Sequence, residues 1–195
     1  MSKKFKIFYV AAIILFLMTV TALVVIETAD QSRTDLTVLG TVPEFTFIER
    51  SGAPFGSNDM LGKINIVNFF FTSCRGPCPL MNRKVADLYV KYASTNAVRF
   101  VSISVDPARD SLQALQAYAS DYGVNDDRWL FLRGEMEEVH RVSEDGFMLA
   151  GDLPSVHSTK LILVDDQNRI RGYYDSFSDA QLESLTAHVR ELLSP

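Results

Sequence analysis

Apolar residues recur along this chain in two rhythms. Ile66-Val67-Asn68-Phe69-Phe70-Phe71 is a nearly continuous apolar run, the pattern of a buried strand. Arg99 to Asp106 and Trp129 to Leu132 read as two more strands. Lys160 to Val164 and Ile170 to Tyr174 form a strand pair about the turn Asp165-Asp166-Gln167-Asn168. Elsewhere the period lengthens. Met81, Val85, Leu88 and Tyr92 lie at steps of four, three and four, one face of a helix. Leu112, Leu115 and Tyr118-Ala119 mark a second helix, capped by Asp110 or Ser111 and stopped at Gly123. Glu135 to about Glu144 reads as a third. Leu182, Leu185, Val189 and Leu192 line a last one, opened by a Ser178/Gln181 capping box. Near the front, Pro43 to Ile48 and the turn at Ser51-Gly52 predict a short hairpin to about Phe55. Strands that alternate with helices and close on a hairpin and a helix predict an α/β layered domain of mixed strand direction. No repeat or low-complexity segment interrupts it.

The N-terminus differs from this body. Lys3, Lys4 and Lys6 precede an uncharged stretch from Ile7 to Ile26, and Glu27 and Asp30 follow. About 20 apolar residues suffice for a helix to cross a bilayer. The lysines mark the cytoplasmic end. The expected organisation is a basic tail over 1–6, a transmembrane anchor over 7–26, a polar tether over 27–41 and one domain over 42–195. A cleaved signal peptide is the rival reading. Its apolar part is usually shorter and ends in a small-x-small site, and Glu27 spoils Glu27-Thr28-Ala29 for that role. No cysteine follows the stretch, which argues against a lipid anchor. The reading is a single-pass membrane protein whose domain faces the periplasm or another extracytoplasmic, oxidising space.

Charge narrows the partners. The 195 residues carry 24 Asp and Glu against 19 Lys and Arg, a net charge of −5. No basic stripe crosses the body of the chain, which argues against a nucleic-acid partner.

The chemistry lies in two cysteines, the only ones present, in Cys74-Arg75-Gly76-Pro77-Cys78-Pro79. They follow the apolar run at 66–71 and precede the first helix. A helix N-terminus carries partial positive charge and free N–H groups, which favour thiolate, and Arg75 beside Cys74 adds to this. Paired thiolates support two chemistries. They cycle between dithiol and disulfide, or they ligate a soft metal, Cu(I) with one further ligand. The C-x-x-x-C spacing permits both.

A third ligand would discriminate. Of three histidines, His140 and His188 sit inside helices and read as partly exposed helix residues. His157 stands just ahead of the strand 160–164, where a loop at the same sheet edge can reach the sulfurs. It is the candidate ligand; its plainer role is to hold loop carbonyls. Asp106-Pro107-Ala108-Arg109-Asp110 falls at a strand end on the same edge. There a turn, a helix cap and an Arg109–carboxylate pair are expected, with an acidic group available to orient His157. Met81 reads as core packing rather than a thioether ligand.

These residues together resemble the SCO/SenC family. The segments are Phe70-Phe71-Thr72-Ser73-Cys74 through Cys78-Pro79, then Ser102-Ile103-Ser104-Val105-Asp106-Pro107 with Arg109-Asp110, Trp129-Leu130-Phe131-Leu132 with Gly134, and Val156-His157-Ser158. The resemblance implies a thioredoxin-like fold of the peroxiredoxin-like variant behind an N-terminal transmembrane helix. It implies copper ligated by Cys74, Cys78 and His157. It also implies delivery to a cytochrome c oxidase subunit carrying a copper site, with a thiol reductant keeping the pair reduced. The chain departs from the family pattern in its loop, where Arg75 and Gly76 replace the usual proline and acidic residue. Cys-Arg-Gly-Pro-Cys looks like the thioredoxin Cys-Gly-Pro-Cys with one residue inserted. The alternative is therefore a membrane-anchored thiol–disulfide oxidoreductase with Cys74 attacking and Cys78 resolving. A fixed structural disulfide is a third reading, weak because so short a loop gains little from closure.

Overall fold

The computed structural model describes residues 13–21, 36–149 and 158–194. The chain divides into two compact units, 1–35 with Pro195, and Leu36–Ser194. In the first, residues 13–21 are helical. Among the described residues no helix is long and apolar enough to cross a membrane. The predicted tail, most of the tether and the ends of the predicted anchor lie outside the described residues.

The second unit is built on one sheet of eight strands in the order β1-β8-β7-β4-β5-β6-β2-β3. Its centre is β4 (Ile64–Phe70), in which every residue is buried. The apolar run demanded this, since only a strand covered on both faces is apolar throughout. β4 runs parallel to β5 (Val98–Ser104), and β5 parallel to β6 (Trp129–Arg133). On the other side β7 (Lys160–Val164) and β8 (Arg169–Asp175) are antiparallel. The hairpin β2 (Thr46–Glu49) and β3 (Pro54–Gly56) closes one edge. Its turn places Gly52 at φ +92°, a conformation that glycine adopts without strain.

Alternation along β4 divides the core. Ile64, Ile66 and Phe70 pack with Cys78, Met81 and Val85 of α1 (Pro77–Lys91), Leu115 of α2 (Leu112–Asp121) and Leu185 and Val189 of α4 (Asp179–Leu193). Val67 and Phe69 belong to a second cluster with Phe47, Phe147 and Val139 of α3 (Met136–Arg141). The unit is a layered α/β domain, as the alternating periods predict.

The structure departs from the sequence reading in three places. First, the domain starts earlier than polarity suggests. Gly40 and Thr41 form β1 against Ile170 and Arg169 of β8, so the end of the predicted tether is a strand. Edge pairing uses backbone groups, which hydropathy does not register. Second, the third helix ends at Arg141 and passes into a π turn over Val142–Gly146. The wider turn delivers Phe147 to the core, edge-on to Phe69 at 5.5 Å. Third, the last helix has half of its expected capping box. Ser178 accepts from the Gln181 N–H, but the Gln181 side chain accepts from the Asp175 N–H at 2.7 Å.

Candidate metal centre

β4 ends at the loop that carries the cysteines, and α1 begins inside it. Gly76 takes the N-cap position with no side-chain cap, and Pro77 is the first helical residue. Proline suits that place because it has no N–H to leave unpaired. Cys74 turns back so that its N–H donates to the Phe71 carbonyl at 3.3 Å. Neither cysteine is in a disulfide; Cys74 is half-buried and Cys78 buried. Arg75 and Gly76 between them are exposed. A β-carbon built on Gly76 meets nothing within 4 Å, so the loop crest has room to move.

The electrostatics of Cys78 differ from the sequence expectation. Burial pushes its thiol from 9.0 up to about 12, and a hydrogen bond with the Cys74 side chain and that group's charge add to this. The Phe71 and Cys78 backbone groups favour the thiolate without overcoming burial. The helix N-terminus therefore does not make Cys78 a thiolate in the metal-free chain. The same hydrogen bond makes the two cysteine side chains neighbours.

The exit of β4 is clamped by a buried carboxylate. Asp110 is fully buried. It accepts the Thr72 N–H at 3.2 and 3.3 Å, the Thr72 hydroxyl at 2.5 Å and the Ser104 hydroxyl at 2.5 Å. Its own N–H donates to the Asp106 carbonyl at 2.9 Å. Sequence reasoning offered Asp110 as a helix cap, but that task falls to Ser111, which accepts from the Ala114 N–H at 3.2 Å. Asp110 instead fixes the residue two places before Cys74. The one sign of this in the sequence is its position at a strand end on the cysteine edge. Arg109 pairs with Asp106 at 3.7 Å, as expected.

The remaining candidates sort cleanly. Met81 is fully buried in the core. His140 lies 3.8 Å from Glu144 in the π turn that follows its helix, and His188 bonds the Tyr174 hydroxyl at 2.6 Å. Among the described residues no group of three or more His, Cys, Asp or Glu is placed to hold a metal. His157 lies outside the described residues. β7, which it precedes, begins beside the cysteine loop. β4 and β7 are antiparallel with Val67 opposite Ile162, so β7 starts at the sheet edge where β4 finishes.

The family profile described as SCO1/SenC matches residues 34–194, the whole of the layered domain. The chain belongs to the SCO1/SenC family. A SCO1 protein homolog of Bacillus subtilis is 26% identical over 156 residues, covering 76% of this chain and 81% of the relative. BsSco, described as a Sco family cytochrome c oxidase assembly protein with a disulfide switch, superposes with a TM-score of 0.72 at 26% identity, covering 80% of this chain and 95% of that one. Arabidopsis thaliana ScoI with copper bound superposes with a TM-score of 0.66 at 26% identity, covering 78% and 98%. The layered domain is thus the thioredoxin-like Sco fold. Its central strand, cysteine loop and first helix are the elements on which this SCO1/SenC chain carries its two thiols.

Proposed function

We propose that this SCO1/SenC chain binds copper as cargo through Cys74, Cys78 and His157. It then passes the copper to a cytochrome c oxidase copper site from a membrane anchor at 7–26. The observation that carries the reading is a pair of neighbouring reduced cysteines, one half-buried and one buried, on the loop beside the start of β7. Thiolates are the protein ligands that suit Cu(I), and an imidazole completes a three-ligand set. Copper bound to the related ScoI supports the same cargo here. BsSco's role in oxidase assembly supports the recipient. The anchor rests on the apolar stretch and its flanking lysines alone.

Transfer follows from the asymmetry of the pair. A reductant first supplies two electrons and two protons to open any disulfide. Copper then displaces the thiol protons. A partner's ligand displaces the more accessible Cys74 first, and the buried Cys78 last.

A competition titration with a Cu(I) chelator tests the site. The reduced full chain should take up one copper tightly, and His157→Ala should lose about tenfold or more in affinity, since even partners of ligands matter at that level. Unchanged affinity would remove His157 from the site. Affinity should also climb with pH. Copper must expel the proton that Cys78 retains, so its contribution alone is about tenfold per pH unit through neutrality. The same shift gives a second readout. The unfolded thiol ionises at 9.0 and the folded one at about 12, so the metal-free fold loses stability as pH rises between these values.

The oxidoreductase reading retains one favourable observation, the half-buried attacking Cys74 beside a fully buried resolving Cys78. It needs no His157. Catalytic reduction of a disulfide substrate, with copper affinity indifferent to His157→Ala, would select it.

A further inference from the structure

A line of polar groups runs through the apolar core on the α1 side of the sheet. The Trp129 indole N–H donates to the Ser102 hydroxyl at 2.9 Å, and Ser102 donates to Asn68 Oδ1 at 2.7 Å. Asn68 Nδ2 donates to Asn82 Oδ1 at 3.0 Å, and Asn82 Nδ2 donates to the Tyr118 hydroxyl oxygen at 2.8 Å. Tyr118 meets the Tyr122 hydroxyl at 3.4 Å, and Tyr122 donates to the Pro79 carbonyl at 3.4 Å. With Tyr122 donating onward, the Tyr118 proton points to the Tyr122 oxygen. Trp129, Ser102, Asn68 and Asn82 are all fully buried.

Apolar side chains would fill these places without needing partners, so a polar line here is a matter of geometry more than of stability. Apolar contacts slide, whereas hydrogen bonds fix distance and direction. Two links of the line end on α1. One is Asn82, a turn beyond Cys78 on the same buried face. The other is the carbonyl of Pro79, the residue after Cys78. Cys78 is bracketed by them. On the other side of the pair, Asp110 fixes Thr72. Residues 73–76 lie between the two fixed points, with Arg75 and Gly76 exposed and open space around Gly76.

A disulfide needs the sulfurs about 2.05 Å apart. A metal held between them needs them further apart. One sulfur must therefore move when the pair changes state. We propose that Asn82, Tyr118 and Tyr122 are positioning residues that hold Cys78 stationary, and that Cys74 is the moving sulfur. The division of labour applies to copper exchange and to disulfide cycling alike, so it does not depend on which of them the chain performs.

The test uses metal-free, reduced full-length chain carrying Cys74→Ser, with iodoacetamide alkylation of Cys78 followed by mass spectrometry. Cys78 should react slowly in this parent. Adding Tyr118→Phe and Tyr122→Phe should accelerate alkylation by about tenfold, the effect of two lost hydrogen bonds on the opening of the first turn. Val85→Ala serves as the control. It weakens the same helix in the same apolar cluster without touching the polar line, and it should leave the rate within about twofold. Tyr122→Phe alone frees the Pro79 carbonyl and removes the acceptor of the Tyr118 hydroxyl proton, while the Asn82–Tyr118 bond to α1 stays; should the double variant not fold, it carries the test with an expected change of about threefold. Equal acceleration in the control and the tyrosine variants at matched thermal stability would overturn the proposal. So would parent Cys78 reacting as fast as Cys74 does in a Cys78→Ser chain. No copper enters the experiment, so its outcome is separate from that of the copper titration.

Discussion

Cys78→Ser should abolish tight copper binding while leaving the chain folded. Serine keeps the shape of the buried side chain, and its hydroxyl can bond the same neighbours, so the stability cost is about 1–3 kcal/mol at most. The chemistry does not survive. A serine hydroxyl keeps its proton at neutral pH and is a hard oxygen donor, whereas Cu(I) selects soft thiolate. Loss of a ligand must exceed the roughly 10–100-fold that follows loss of a ligand's outer partner. Cys74→Ser should do the same to affinity with less effect on stability, since Cys74 is half-exposed. Chelator competition measures affinity, and circular dichroism with urea melting measures the fold. Tight copper binding by either single variant would mean that the two sulfurs do not act together.

The largest effect on stability should come from Asp110→Ala. The carboxylate accepts three donors in the interior, the Thr72 N–H, the Thr72 hydroxyl and the Ser104 hydroxyl. Removing it leaves them without their acceptor, and each buried orphan costs about 1–3 kcal/mol. The hydroxyls can turn to other acceptors, so the net loss should be roughly 3–5 kcal/mol, a large share of the ~5–15 kcal/mol of a typical domain. Asp110→Asn should recover part of it. Its oxygen can keep Thr72, and Ser104 can rotate to accept from the new amide. Urea unfolding of the three chains gives the ranking. Because Thr72 leads into Cys74, the alanine variant should also weaken copper binding. A loss below about 1 kcal/mol for Asp110→Ala would show that the clamp is dispensable.

Much of the fold was legible because burial leaves a period. The apolar run at 66–70 could only be a central strand, and the four-three-four spacing from Met81 could only be the buried face of α1. Backbone pairing leaves no such trace, so the β1 residues read as tether. The helix ending at Arg141 gave no warning of its π turn, because that turn serves the placement of Phe147. The cysteine pair, with Cys74 as its attacking and Cys78 as its resolving member, could be read from position along the loop, and the structure makes Cys74 the more accessible of the two. The protonation of Cys78 could not, because the helix end is visible in sequence and the depth of burial is not. The polar line through Asn68 and Asn82 leaves no mark in the sequence reading, because their partners, Ser102 and Tyr118, lie far along the chain. Asp110 looked like a cap because strand ends and helix starts coincide there, and its true partner, Thr72, is brought in only by the packing of β5 beside β4.

Copper-edge X-ray absorption of the Cu(I)-loaded full chain tests the proposed three-ligand site most directly. Two sulfur scatterers and one imidazole nitrogen are expected, with the nitrogen signal gone in His157→Ala. Sulfur alone around the metal, or a spectrum that the substitution leaves unchanged, would contradict it.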